Sequence, residues 1–119
     1  MQIQINTNES VQGSATRFEW IESEARDALE RFEDDVTRVE IHLNDVNADK
    51  EGGRDQRCMM EARIAGLASV AVTEYADSLP DAVRGAAEKL RKALDSKLGK
   101  LHDSAKRERE SIRRDPDLI

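Results

Sequence analysis

The chain has 119 residues, 38% of them hydrophobic and 37% charged, and a formal net charge of −6. That length suits one domain with a modest core, and the apolar residues recur too regularly for a disordered chain. The single Cys58 excludes an intramolecular disulfide and fits a reducing compartment. No apolar run approaches the roughly 20 residues a bilayer span needs, and Met1-Gln2-Ile3-Gln4-Ile5 does not open a secretory leader. The expectation is a soluble cytoplasmic protein.

In chain order, residues 2–6 alternate polar and apolar and predict a short strand. Asn8 to Gly13 is turn chemistry, and Ser14 is a candidate helix N-cap. Phe18, Ile21, Ala25, Ala28, Leu29 and Phe32 then recur at three- and four-residue spacing, which predicts one helix ending near Asp34. From Val36 the period drops to two, with Val39, Ile41 and Leu43 on one face. Residues 44–55 form a polar connector containing Gly52-Gly53. A strand over 56–65 follows, with Cys58, Met60, Ala62 and Ile64 on the apolar side. Gly66 marks a tight turn, and the next strand runs through Val70, Val72 and Glu74 to Ala76. Strands this closely spaced predict an antiparallel meander.

Asp77-Ser78 precedes Leu79-Pro80, where proline in a first helical turn costs no hydrogen bond. Leu79, Val83, Ala86, Leu90, Ala93, Leu94, Leu98 and Leu101 make the longest periodic stretch. Lys97 falls inside this stripe, which suggests that the helix outruns the sheet there. Residues 1–102 are expected to be the domain, and 103–119 a charged, flexible tail that is helical in its first turns at most. The order β-α-β-β-β-α predicts an α+β fold with two helices on one face of a four-stranded sheet. The other face would carry Arg38, Glu40, His42, Arg57, Glu61 and Arg63. With no aromatic pair there, it does not make the stacking platform of a single-strand RNA binder.

The net charge conceals a division. Residues 1–83 carry 8 basic against 18 acidic side chains, a net of −10, whereas residues 84–114 carry 11 against 5, a net of +6. On the last helix, at 100° per residue, Lys89, Lys92 and Lys100 fall along one flank, and Arg84 and Arg91 lie across the polar face from them. Such a row can meet successive phosphates; it also fits a solvated helix face with Glu88 and Lys92 as an i,i+4 pair. Other chemistry is poorly supported. Asp45-Val46-Asn47-Ala48-Asp49 opens like a calcium loop, but Lys50 and Gln56 replace the Gly and Glu that such a loop requires. His42 and His102 have no ligand spacing, and Cys58 reads as a small buried hydrophobe. Asp34-Asp35 reads as a solvated helix exit. Neither an enzyme nor a cofactor or metal is expected.

A strand, a helix closing on Leu29-Glu30-Arg31-Phe32, a three-strand meander and a helix carrying Glu88-Lys89-Leu90-Arg91-Lys92-Ala93-Leu94 together resemble the ribosome hibernation promoting factor and protein Y family. Its members are also described as ribosome-associated inhibitors and sigma-54 modulation proteins. The resemblance covers about residues 1–102 and includes Arg57-Cys58-Met59-Met60-Glu61-Ala62-Arg63 as a divergent third strand. It implies a domain shaped like double-stranded RNA-binding domains. It also implies binding to the small ribosomal subunit in the channel used by mRNA and tRNA, which blocks initiation on idle ribosomes.

By the resemblance, Lys89, Lys92 and Lys100 are the rRNA contacts, supported by Arg84, Arg91 and Lys97, and Arg17 and Arg31 match basic positions of the first helix. Ser96, Asp95 and Pro80 depart from the usual Lys, Arg or Asn, and Tyr. Tyr75 and Ala76 fall in a region that is often basic. Long members carry a second domain that pairs ribosomes; this length looks more like the type that holds single ribosomes, while the tail is less acidic than that type's, which leaves both behaviours open. The expected partner is rRNA backbone, with no DNA or membrane, and the expected state is a monomer. The rival expectation is a divergent paralogue that regulates a basic protein through the acidic first helix, with Glu19, Glu22, Glu24, Asp27 and Glu30.

Overall fold

A computed structural model describes residues 1–7, 15–45 and 56–114, with side chains up to residue 99 in the last segment. The Ser14 cap, the turn at 8–13, most of the polar connector with its calcium-like opening, the side chains of Lys100 and His102, and the final residues lie outside the described part.

The elements are β1 (Gln2–Thr7), α1 (Ala15–Ala28), a 3-10 turn (Glu30–Phe32), β2 (Val36–Asp45), β3 (Gln56–Ile64), β4 (Val70–Ala76) and α2 (Leu79–Arg114). The four strands form one sheet in the order β1-β2-β3-β4. β1 joins β2 in parallel across the α1 connection, while β2, β3 and β4 make the antiparallel meander. The expected α+β architecture is what the chain adopts.

Two details differ from the expectation. The first helix ends at Ala28 rather than near Asp34, and the backbone then tightens: Phe32 N–H donates to Leu29 O at 2.9 Å and Glu33 N–H to Glu30 O at 3.2 Å. Leu29 and Phe32 are both buried, and a spacing of three keeps two side chains on one face in a 3-10 turn as well as in an α-helix. The last helix runs on to Arg114, past the end of its apolar stripe.

The core lies between the sheet and the helices. Ile21, Ala25 and Leu29 meet Val39, Ile41, Leu43, Cys58, Met60 and Ala62 from the strands, and Val83, Ala86, Leu90 and Leu94 from α2. Strand alternation carries this through: β2 and β3 bury every second residue, with a register shift between Val36 and Arg38. At that shift the Thr37 hydroxyl donates to Arg63 O at 3.2 Å. Gly66 has φ +75°, the left-handed value that lets the β3–β4 turn close. Ser78 caps α2, its hydroxyl accepting from Asp81 N–H at 3.3 Å.

Cys58 is fully buried, and burial pushes its thiol up from the ordinary 9.0 to about 12. Between those values the unfolded chain ionises while the folded chain keeps its proton. The contribution of Cys58 is therefore intact below pH 9.0 and is lost as pH rises toward about 12. The urea-midpoint advantage of wild type over Cys58→Ala is expected to shrink above that pH. A constant difference up to pH 11 would contradict this placement.

Candidate nucleic-acid interface

The strands of the meander hold α2 against the sheet, and the sheet's free edge, β4, decides how the basic positions are presented. Each candidate cation has an identifiable setting. Lys89 leaves α2 toward β4, where its ammonium donates to Thr73 O at 3.0 Å and lies 3.4 Å from Glu74 Oε1. Glu74 also accepts from Tyr75 N–H at 3.3 Å. Backbone groups at both Thr73 and Tyr75, on a strand with no further neighbour among the described residues, are thus closed by side chains, a common protection of sheet edges. Space for Glu74 comes from Gly85: a Cβ there would lie 2.5 Å from Glu74 Oε2 and 2.6 Å from its Cγ. Gly85→Leu is therefore expected to expel Glu74, break its pair with Lys89 and lower stability by about 1–3 kcal/mol, measured by urea unfolding. An unchanged urea midpoint would sink this account of the edge.

Lys97 does lie where the helix passes the end of the strands, but its ammonium does not face solvent alone. Its ammonium donates to Ala68 O at 3.0 Å, so the helix still lies beside the β3–β4 turn at that point. The long stem follows the apolar stripe while the charge reaches a carbonyl at its edge. Arg84 sits 3.8 Å from Asp81 and stacks over Trp20 of α1, with the guanidinium 5.1 Å from the ring centroid. Arg91 holds Glu88 with contacts of 3.1 and 2.6 Å. That hydrogen bond keeps the Glu88 carboxyl below its ordinary value. Lys92 reaches the same carboxylate at only 3.9 Å and is 70% exposed, the freest described cation of the row. Arg31 bonds Asp95 at 3.2 Å, tying the end of the first helical segment to α2. The candidates are therefore not one group: Lys92 faces solvent, Lys89 and Lys97 brace the β4 side, and Arg84 and Arg91 engage neighbours on the helices.

The face of the sheet away from the helices carries the residues expected there, in rows fixed by the register: Arg38 beside Arg63, Glu40 beside Glu61, His42 beside Met59, and Asn44 beside Arg57. β4 adds Tyr75 opposite Arg57 and Thr73 opposite Met59. Sequence reasoning left Tyr75 out of this face, although the alternation of β4 was a usable signal: with Val72 and Glu74 inward, Tyr75 must point outward.

A four-stranded mixed sheet, two helices on one face and a final helix rich in cations define a small α+β domain. The solved structures it is similar to have this architecture. The N-terminal domain of protein Y from Thermus thermophilus superposes with a TM-score of 0.65 at 17% identity, over 81% of this chain and 98% of that one. A ribosomal subunit interface protein from Coxiella burnetii gives 0.65 at 16% identity, over 83% and 99%. At such identities the likeness establishes the fold. No protein-family model matches the chain, and no curated protein sequence does.

Proposed function

We propose that this chain is a non-catalytic, cytoplasmic translation regulator that docks on the small ribosomal subunit. In this reading it occupies the channel of mRNA and tRNA and blocks initiation on idle ribosomes. The observation that carries it is the shared fold, over nearly the whole of both structures, with a protein Y N-terminal domain and a ribosomal subunit interface protein. The charge division supports it: a rigid helix with a net positive stretch can follow a phosphate backbone without reading bases. Among the proposed contacts, Lys92 and Lys100 carry the docking. Lys89, Arg84, Arg91 and Lys97 contribute while also holding the domain together.

The blocking step is tested by order of addition in a purified translation reaction. Protein added before initiation is expected to suppress product, and protein added to elongating ribosomes to leave it unchanged. Equal inhibition in both cases would place the action elsewhere.

One observation favours a second reading. Every described cation of α2 already meets a carboxylate or a carbonyl, which weakens its pull on phosphate. Glu19, Asp27 and Glu30 stand exposed, so an acidic surface is on offer to a basic protein. Under that reading the protein ignores ribosomal subunits at low salt.

A further inference from the structure

The open face of the sheet divides into two halves of different electrical character. At one end Arg38, Glu40, Glu61 and Arg63 neutralise one another, with Arg38 3.1 Å from Glu40 and Arg63 3.9 Å from both Glu40 and Glu61. At the other end lie His42, Asn44, Arg57, Met59, Thr73 and Tyr75, with no carboxylate in their cross-strand rows. Arg57 is the exceptional member. Each other described Arg or Lys has a hydrogen bond, an ion pair or another polar or ring contact, whereas Arg57 has none, and its Nε, like that of Arg38, is buried with no acceptor among the described residues. A buried donor left unmet is unfavourable, so this guanidinium is poised for an acceptor from outside the chain. Directly across the strands stands Tyr75, one of two large hydrophobic side chains among the described residues that remain exposed, at 47%.

We propose that this half of the sheet binds an unpaired RNA nucleotide, with the base stacked on the Tyr75 ring and the adjoining phosphate held by Arg57. The chemistry fits both members. Cross-strand neighbours stand about 5 Å apart, so a ring and a guanidinium on the same face reach a base and its own phosphate together. Arg offers a planar fork that suits phosphate oxygens, and the row supplies no competing anion. His42 and Asn44 lie beside the pair and supply further polar edges. With one aromatic rather than two, the site takes a single nucleotide and reads little sequence. The inference deepens the ribosomal reading by giving the domain a second RNA-facing surface, opposite the helices, and it rests on that reading only for the identity of the RNA in the cell.

The test uses the full chain and a fluorescent single-stranded RNA octamer, followed by anisotropy at about 50 mM salt, with a duplex of the same sequence as comparison. Wild type is expected to bind the single strand in preference to the duplex. Tyr75→Ala and Arg57→Gln are each expected to weaken that binding by about tenfold. Ser23→Ala, exposed on α1 on the helix side of the sheet, is expected to change it less than threefold. Tyr75→Ala and Arg57→Gln proteins that melt normally and bind the single strand like wild type, or that lose duplex binding as much as single-strand binding, would overturn the site. The octamer contains no ribosome, so this outcome is independent of whether the subunit is bound.

Discussion

Lys92→Glu combined with Lys100→Glu is expected to weaken association with small ribosomal subunits by at least about tenfold near 100 mM salt, with melting unchanged within about 2 °C. The choice of residues follows from the geometry. Lys92 is 70% exposed and shares its only carboxylate with the better-placed Arg91, so reversing it disturbs no packing. Lys89→Glu, which looks equivalent on a helical wheel, is not: it would face Glu74 and abandon Thr73 O, confounding lost contact with a damaged edge. Association that survives the double reversal would remove α2 from the interface. A melting temperature that falls with it would mean that the row is structural after all.

The largest effect on stability is expected at Leu90. This side chain is wholly buried where α2 crosses the sheet, within the cluster that includes Ile41, Met60 and Leu94. Leu90→Ala removes three carbons, two methyls and the methine that carries them, from a site that a helix on a sheet cannot easily collapse around, at a cost of about 2–5 kcal/mol. The urea midpoint should fall by that amount divided by an unchanged slope, and the melting temperature by on the order of 10 °C. A loss below about 1 kcal/mol would mean that α2 is held by its polar contacts rather than its apolar stripe.

Much of the fold was legible because the pattern and the packing agree. The alternation of Val39, Ile41 and Leu43 and of Cys58, Met60, Ala62 and Ile64 is the same alternation that buries them. The end of α1 was not legible, because Leu29 and Phe32 satisfy the core equally well in either helical form. Lys97 was legible only in part: periodicity locates a stem on an apolar stripe but does not say which carbonyl its ammonium reaches, here one 29 residues away in the β3–β4 turn.

The basic row was visible in the sequence, but its electrostatic setting was not. The i,i+4 pair of Glu88 with Lys92 is outcompeted by Arg91, whose planar fork closes to 2.6 Å where Lys92 stays at 3.9 Å. The pairs of Lys89 with Glu74 and Arg31 with Asp95 join elements distant in the chain, and only the folded arrangement brings them together. The pair of Arg57 and Tyr75 has the same origin: each sits unremarkably in its own strand, and the register of β3 with β4 makes them neighbours.

The central claim, that the basic helix docks on ribosomal RNA backbone, is tested most directly by co-sedimentation of the purified chain with small ribosomal subunits across a salt series. The six proposed phosphate contacts predict an association constant that falls on the order of 1000-fold between about 50 and 200 mM monovalent salt. No co-sedimentation even at the lowest salt, or binding indifferent to salt, would contradict the claim.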